Sequence, residues 1–304
     1  MRLRYLFFGC ILTFLTIKNS YSQERYGFHH YQAILYVGTS HFFGDLGGTD
    51  KNGSQYTPAD LNLGTTGYSV GAGVIRKFNN HFSMRANLIE AKVRGSDAYT
   101  NDPFRKNRNL SFRSKIEELS VTADVNIFTI KKKQKKTQNL LAFVGVGVFR
   151  FNPQANYKGK WYDLQPLGTE GQGLIDNKPK YNKTSYNIPF GLGYNFDISS
   201  SQKIGLILTM RKTFTDYIDD VSTNYYDNNR LTEANGEMSG ILADRNLNRN
   251  SGVIKQSNSG RGNPKINDNF AFLQFTYSFR FYARKRESIF PIVFFPKDKK
   301  CYKW

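Results

Sequence analysis

Amphipathic strand-like segments, joined by connections that are alternately short and long, are the feature that most restricts the fold of this chain. In residues 271–281 every odd position carries an apolar side chain, whereas the even positions from Gln274 to Arg280 are polar. A period of two places these two sets on opposite faces of a β-strand. One face of such a strand suits lipid and the other suits a polar interior.

Seven other segments are also predicted to be strands. In residues 139–151 both faces are apolar, and Gly145 and Gly147 would lie beside inward Phe143 and Phe149. This arrangement suits a narrow lumen that is filled by side chains. The predicted strands cover about 30–42, 67–78, 81–94, 118–127, 139–151, 186–198, 204–211 and 271–281.

Every second connection between these segments is long. The short connections are 79–80, 129–138 and 199–202, and the long ones are 43–66, 95–112, 152–184 and 214–268. Short turns at one end and long loops at the other are typical of bacterial outer-membrane barrels, which have an even number of strands. We therefore predict an all-β protein, an eight-stranded antiparallel transmembrane β-barrel with a side-chain-filled lumen, long extracellular loops and both termini in the periplasm. A secreted soluble barrel or sandwich is the alternative, but its outward face would be polar.

The N-terminal residues predict export. Arg2 and Arg4 precede an apolar stretch at 6–15, and Ser20-Tyr21-Ser22 supplies small residues for cleavage, as in a secretory signal peptide. We therefore expect a signal peptide at 1–22, an outer-membrane barrel at 23–283 and a periplasmic tail at 284–304.

The charge and the cysteines exclude several kinds of site. The net charge of +19 is spread along strands and loops, without a zinc or helix-turn-helix pattern, so nucleic acid is not expected as a partner. Cys10 lies in the predicted signal, which leaves Cys301 without an intrachain disulfide partner. The four His form no pair with the spacing of metal ligands. We expect no catalytic residue, metal or cofactor, and hence no enzyme activity.

Ionisable residues occur on the faces that are predicted to point inward. Because a buried charge must find a partner, these residues are expected to form a charge-paired network in the lumen. A proton or ion path through them is the alternative interpretation. The predicted network consists of Arg85, Glu118, Asp124, Arg211 and Arg280, with Asp197 as a further candidate.

Four segments carry a family resemblance. They are Ser-His-Phe-Phe-Gly-Asp-Leu-Gly-Gly at 40–48, Arg-Asn-Leu-Ser-Phe-Arg-Ser at 108–114, Thr-Phe-Thr-Asp-Tyr-Ile-Asp-Asp-Val-Ser at 213–222, and the last strand. With them the chain resembles the outer-membrane barrel family of Bacteroidetes that includes PorG of the type IX secretion system. The resemblance implies a non-enzymatic component of the secretion and gliding machinery, associated with the periplasmic ring of PorK/GldK-like lipoprotein and PorN/GldN-like protein.

The same motifs have a structural interpretation. Gly44, Gly47 and Gly48 permit a turn that places Asp45 against the rim of the barrel, paired with an arginine such as Arg113. A second acidic set in the 213–222 motif is expected to cap backbone or to form salt bridges at the rim, since its spacing is not that of a calcium-binding EF-hand. This set consists of Asp216, Asp219 and Asp220.

The predicted tail is basic and aromatic. It can dock on a periplasmic partner, with aromatic anchors and lysines that steer it to an acidic surface, or it can lie among the lipids of the membrane interface. The candidate contact residues are Arg284, Lys285, Arg286, Phe290, Phe294, Phe295 and Trp304. The last strand also resembles the insertion signal that the barrel assembly machinery reads, with Thr276 where Gly is usual. The alternative function is an independent small barrel that binds or transports through its extracellular loops.

Overall fold

A single antiparallel sheet forms the body of the protein. The computed structural model describes residues 31–46, 63–131, 137–199, 201–248 and 257–281. The strands in these ranges are β1 Tyr31–Phe43, β2 Gly67–Lys77, β3 Phe82–Ser96, β4 Ser111–Lys131, β5 Thr137–Tyr157, β6 Lys160–Asp163, β7 Thr184–Asp197, β8 Gln202–Thr213 and β9 Asn269–Phe281. Their order in the sheet is β4-β3-β2-β1-β9-β8-β7-β5-β6, and β4 also pairs with β5. Eight strands therefore close into a barrel, which confirms the predicted fold, while β6 is a short arm on β5.

Two strands are longer than predicted. Toward the long loops, the outward faces of β4 and β5 become polar, at Glu117 and Arg150 for example. The alternation of apolar and polar residues that identifies a strand disappears there. The two strands nevertheless stay paired, from Lys131 opposite Thr137 to Arg113 opposite Gln154. The β5–β6 hairpin lies within a predicted loop.

Three short α-helices in the described ranges also lie within the predicted loops. They are α1 Pro103–Arg108, α2 Asn228–Asn235 and α3 Glu237–Ala243. The side chains of Asp102 and Asp227 accept hydrogen bonds from the first backbone amides of α1 and α2, which is the usual role of an N-cap residue. Within the described ranges, every helix is too short or too polar to cross a membrane.

The outer face of the barrel carries a continuous apolar band. Val146 and Phe275 each expose 68% of their surface, an unusual amount for such side chains. Other exposed members of the band are Leu35, Val37, Tyr68, Val70, Leu88, Val125, Ile127, Val144, Leu192, Leu206, Leu208 and Leu273. Above the band on β3 and β4, Lys115 forms surface ion pairs with Glu90 at 2.9 Å and Glu117 at 3.1 Å. The band on β4 thus begins after Glu117, and its exposed apolar members continue through Phe128 to Ile130.

Buried ion pairs fill the middle of the lumen. Arg85 Nε lies 2.7 Å from Asp124 Oδ2, and Arg211 Nε lies 2.7 Å from Glu118 Oε2. The Asn187 amide also donates to Glu118, at 2.8 Å. All four ionised side chains are almost fully buried, so each needs its partner.

A further ionic group lies nearer the end of the barrel that carries the short turns, which we call the turn end. Asp197 Oδ1 is 2.6 Å from Lys203 Nζ and 3.8 Å from Arg280 Nη2. The structure therefore places Arg280 apart from the other four residues of the predicted network. Lys203, which the sequence did not single out, is the closer partner of Asp197.

Aromatic side chains fill the opposite end, which carries the long loops and which we call the loop end. Phe149 packs edge-on against Phe270 at 5.5 Å between ring centroids, and Phe42 packs in the same way against Phe112 at 4.7 Å. Nearer the turn end, a glycine provides the space for an aromatic ring. A Cβ on Gly191 would lie 2.0 Å from the Leu208 carbonyl oxygen and 3.0 Å from the Phe143 ring. The lumen is therefore closed by side chains along its length.

Replacement of Arg211 by Met should destabilise the barrel, because it leaves the Glu118 carboxylate buried without its cation. We expect the free energy of unfolding in detergent to fall by about 3–5 kcal/mol. Urea titration, followed by the shift between folded and unfolded bands on cold gels, measures this. The neighbouring side chain of Lys212 is exposed, so Lys212→Met is the matched control and should unfold like the wild type. Equal stabilities of the two variants would contradict the structural role of the pair.

Candidate functional site

The long connections fold into a compact layer over the loop end. We call this layer the cap and define it as the described residues of 44–46, 97–110, 158–183 and 214–268. Many polar side chains lie on its solvated surface, but a second set that includes Asp97, Arg108, Glu170, Asp219 and Arg261 is buried inside it. Because buried polar groups need partners, the cap is held together mainly by hydrogen bonds between different loops.

The 213–222 motif lies at the centre of the cap. Ile218 and Val221 are buried and pack into the aromatic cluster of the loop end. Between them, Asp219 accepts hydrogen bonds from the backbone amides of Leu46 at 3.1 Å and Val221 at 2.9 Å. Asp220 has a φ of 67°, a left-handed conformation that is uncommon for a residue with a side chain. The motif thus joins the first and last long loops and seals the barrel.

Arg261 connects three parts of the cap. Its guanidinium donates to Glu170 Oε1 at 2.9 Å and to the backbone oxygen of Ala243 at 3.3 Å, and it lies 3.7 Å from Asp220 Oδ2. The arginine is 2% exposed. Glu170 in turn accepts from the backbone amides of Ser222 at 2.9 Å and Thr223 at 3.1 Å.

Arg108 makes the corresponding connection on the other side of the cap. It forms a two-pronged pair with Asp97, through Nε at 2.7 Å and Nη2 at 2.8 Å. Nη2 also donates to the backbone oxygen of Asp45 at 2.7 Å, and Nη1 donates to that of Arg261. Paired hydrogen bonds of this kind fix the angle as well as the distance between two elements.

Four carboxylates lie close together beneath these arginines: Asp45, Asp216, Asp219 and Asp268. Asp45 accepts from the Asn263 amide at 2.7 Å, and Asp268 accepts from the Ile218 amide at 2.8 Å. Burial raises the pKa of Asp216 to about 8, and the Asp45 and Glu170 carboxylates act in the same direction. Burial, together with neighbouring carboxylates, raises the pKa values of Asp219 and Asp268 well above the ordinary range. The cluster therefore retains protons at neutral pH.

The structure places the predicted motif residues in this cap with one difference. Arg113, the predicted partner of Asp45, instead donates to Gln154 Oε1 at 2.9 Å, and its guanidinium covers the Trp161 ring at 3.6 Å. The arginines that reach Asp45 are Arg105 and Arg108, and both donate to its backbone oxygen, at 2.7 Å. Gly44 lies against Asp268, since an added Cβ would be 2.1 Å from its Oδ1.

Other predicted residues lie outside the described ranges. These are Gly47, Gly48, the signal at 1–22, Cys301, and the tail residues Arg284, Lys285, Arg286, Phe290, Phe294, Phe295 and Trp304. In the part of the chain that the structure describes, acidic, histidine and cysteine side chains do not assemble into a group that could hold a metal ion.

Several residues that hold the cap together were not singled out from the sequence. Arg261, Glu170 and Asp97 stand in polar loops, where a single charged residue carries no periodic signal. Arg108 begins one of the segments that carried the family resemblance, so that segment already contained a signal for it. Their roles become visible only where distant loops meet.

One family profile matches most of the chain. The profile of a family described as "Domain of unknown function (DUF6089)" matches residues 6–239. No curated protein shows a significant match to the sequence.

Three solved structures illustrate the similarity. One is Ail, the attachment invasion locus protein of Yersinia pestis, in complex with the heparin analogue sucrose octasulfate; identity is 8%, the TM-score 0.36, and coverage 83% of this chain and 99% of Ail. Neisserial surface protein A has 8% identity and a TM-score of 0.34, with coverage of 83% and 97%. The outer-membrane protein OprG of Pseudomonas aeruginosa has 7% identity and a TM-score of 0.33, with coverage of 84% and 99%.

Replacement of Arg261 by Met should open the cap, because it leaves Glu170 and Asp220 buried without their shared cation. A loss of about 3–5 kcal/mol in the local stability of the cap is expected. Limited proteolysis of the folded protein in detergent measures this as faster cleavage within 158–183 and 214–268, while the barrel stays intact. Arg230, which is exposed on α2, provides the control variant Arg230→Met. Cleavage at the wild-type rate in Arg261→Met would show that the arginine does not hold the loops.

The cap should also be less stable at higher pH. The raised pKa values mean that the folded cap binds more protons than the unfolded cap between about pH 4 and pH 8. This contribution to stability is fully present below pH 4 and is lost as the pH rises through about 8. Denaturant titrations of Trp161 fluorescence, in a Trp304→Phe background, should show a fall of more than about 1 kcal/mol between pH 5 and pH 8.

A variant of the cluster separates this effect from general pH sensitivity. Asp216→Asn removes one titrating group and should flatten the pH dependence. Asp176 is exposed in the same cap, so Asp176→Asn should keep the wild-type slope. A cap whose stability rises with pH in this range would contradict the assignment.

Proposed function

The chain belongs to the DUF6089 family, and we propose that it is a non-enzymatic outer-membrane β-barrel that serves as a structural component of the type IX protein secretion system. The observation that carries the outer-membrane assignment is the apolar band around a closed eight-stranded barrel. In lipid every backbone polar group must be satisfied internally, which a closed barrel achieves. The exposed apolar side chains on the eight barrel strands then face hydrocarbon instead of water.

The closed lumen favours a structural role over a channel. Buried ion pairs occupy its middle, the aromatic cluster occupies its loop end, and the cap covers that cluster. An eight-stranded barrel has an interior that is just wide enough for side chains to fill. We therefore propose that the protein acts by binding partners at its outer surfaces and not by conducting solutes.

Assignment to the secretion machinery is supported by the segments that carry the family resemblance. Apolar residues from three separate motifs meet in one buried cluster at the base of the cap: Phe42, Leu46, Leu110, Phe112, Ile218 and Val221. Residues of these motifs therefore build the base of the cap together. A family of proteins that shares this cap would need the same residues at these positions. The resemblance then implies the periplasmic ring of PorK/GldK-like and PorN/GldN-like proteins as partner.

The lengths of the connections support an orientation in the membrane. In outer-membrane barrels the short turns face the periplasm and the long loops face outward, so the cap is extracellular and both termini are periplasmic. The basic, aromatic tail at 284–304 would then emerge on the side where the ring lies. Lysines on this tail are suited to steer it toward an acidic surface.

Surface binding through the cap is the second candidate function. The observation that favours it is that hydrogen bonds and ion pairs join the described loops of the cap into one unit. Its outer surface exposes Tyr99, Phe104, Trp161 and Leu247, and aromatic side chains are common anchors of binding sites.

A pull-down from outer membranes in mild detergent distinguishes the two functions. A tag can be inserted at Gly236, between α2 and α3, because no atom lies within 4 Å of a Cβ placed there. Recovery of the ring lipoprotein and its periplasmic companion would support the secretion role. Recovery of the barrel alone, under conditions that keep the ring intact, would contradict it and favour surface binding.

Deletion of 284–304 should leave the barrel inserted and heat-stable but reduce recovery of the ring lipoprotein. The reason is that the proposed aromatic anchors and steering charges lie in this segment. A full-length control, in which the tail is kept and only Lys132, Lys133 and Lys135 between β4 and β5 are replaced by Gln, should retain the partner. An undiminished yield from the deletion variant would remove the docking role of the tail.

A further inference from the structure

A set of charged side chains lies on the outer face of β3, β4 and β5, on the loop-end side of the apolar band. We call this set the outer ladder and define it as Glu90, Lys92, Arg94, Arg113, Lys115, Glu117 and Arg150. Successive strand residues alternate between faces, and the ladder has the parity of exposed Leu88, Val125 and Val146 on these strands. The ladder therefore points outward, and most of its residues are basic.

Like charges lie directly opposite each other in this ladder. The register of β3 and β4 produces three like-charged pairs: Glu90–Glu117, Lys92–Lys115 and Arg94–Arg113. Like charges in such positions destabilise a sheet. Lys115 relieves the acidic pair, because it lies 2.9 Å from Glu90 and 3.1 Å from Glu117. In the described ranges no carboxylate forms an ion pair with Arg94 or Arg113, so a bound anion would relieve the arginine pair.

Other basic side chains of the ladder are also available to a ligand. Arg94 and Arg150 are exposed, and their guanidinium groups contact no acceptor within the part of the chain that the structure describes. Glu117 lies opposite Arg150 in the sheet but pairs with Lys115 instead. The Lys92 ammonium lies 5.5 Å from the centre of the Tyr68 ring and has no described carboxylate partner.

Arg113 is already fixed in position. Its guanidinium covers the Trp161 ring at 3.6 Å, and its Nε donates to Gln154 at 2.9 Å. Its two Nη groups have no described acceptor. An arginine that is held in this way loses little conformational freedom when it binds a phosphate. Because the side chains of Arg94 and Arg113 begin about 5 Å apart, both can donate to the same phosphate group.

The ladder lies near the depth of lipid headgroups. Leu88 and Leu119 face each other in the apolar band, and Lys92 and Lys115 face each other farther along the same strands. At about 3.4 Å per residue and a tilt of about 45°, the lysines lie roughly 10 Å nearer the loop end than the leucines. The polar zone of one leaflet is roughly 5–8 Å deep, and long basic side chains can reach back into it.

Positive charge is concentrated on this side of the barrel. At the loop end, the outward positions of β7, β8, β9 and β1 carry one Lys or Arg, which is Lys212. Beside the ladder, Asp163 and Lys183 offset each other, since both contact Asn152. This distribution favours a discrete ligand over a general attraction to the membrane surface.

We propose that the outer ladder binds one anionic, phosphate-bearing lipid of the outer leaflet. Its phosphate oxygens accept from Lys92, Arg94 and Arg113, while its acyl chains lie on the apolar band. Arginine and phosphate match each other in geometry and in charge. The choice of leaflet rests on the proposed orientation, in which the cap is extracellular. The binding itself does not depend on the secretion role, since the purified barrel contains the whole site.

Native mass spectrometry of the full-length protein in detergent tests the site, with diphosphoryl lipid A as the probe. Wild-type protein should retain one lipid A per barrel and bind phosphatidylcholine, whose headgroup has no net charge, at least about tenfold more weakly. Equal retention of the two lipids would overturn the proposal. Displacement of lipid A by an equal concentration of inorganic phosphate would also overturn it, because the site would then not select a lipid.

A matched pair of double variants tests the donor set. Lys92→Gln with Arg94→Gln should weaken lipid A binding by about tenfold or more, because charge-assisted hydrogen bonds are lost. Neither side chain has a described ionic partner, so the barrel should stay folded. Lys212→Gln with Arg230→Gln removes the same charge from other exposed positions and should bind like the wild type. Equal lipid A binding by the two double variants would overturn the assignment.

The orientation is tested separately on intact cells. An antibody against a tag at Gly236 should bind them, because the cap is proposed to be extracellular. A tag that is hidden from the antibody would overturn the outward orientation and with it the choice of leaflet. Failure of the purified protein to bind lipid A would overturn the lipid site alone.

Discussion

Closure of the hydrogen-bond ladder between β4 and β5 is the constraint on which the rest of this structure depends. The two strands pair from Lys131 opposite Thr137 to Arg113 opposite Gln154, with one irregularity between Asn126 and Phe128. Without this pairing, the sheet would present two open edges, which hydrocarbon does not tolerate. With it, each strand acquires an inner and an outer face, and the alternation of side chains follows.

The narrow interior then determines which side chains are acceptable there. Each buried ion pair joins different strands: Arg85 and Asp124 lie on β3 and β4, and Arg211 and Glu118 lie on β8 and β4. A shift of one residue in the pairing of any of these strands would move its charge to the lipid-facing side. Buried ion pairs contribute little net stability, because desolvation offsets their attraction. Their value here is the register that they impose on the barrel.

In the cap, as in the lumen, buried charges are paired with partners from other parts of the chain. Its loops have too few apolar residues for a large core, so Arg108 and Arg261 connect them by donating to carboxylates and to backbone oxygens of other loops. The cost of the arrangement is a group of buried carboxylates whose pKa values are raised. A cap that is built this way closes the barrel and leaves its outer surface and the turn end as places where a partner can bind.

The sequence alone determined the strands, their inward and outward faces and the barrel, because a period of two is a local pattern that adjacent residues display. It also showed which charges point inward, since parity along one strand suffices for that. It did not determine the parts of β4 and β5 nearest the loop end, where the outward face is polar and the alternation of apolar and polar residues disappears. Nor did it assign the partner of Asp45, for which Arg113 was an incorrect choice.

Only the tertiary structure decided the cap and the pairing of charges in the lumen. Arg108 and Arg261 stand 153 residues apart in the chain, and Glu170 and Arg261 stand 91 apart. Contacts over such separations leave no trace in local periodicity, because they depend on which loops the closed barrel brings to the same end. The face on which a strand residue lies can be predicted from its neighbours in the sequence. The partners of a buried charge depend on the three-dimensional path of the chain.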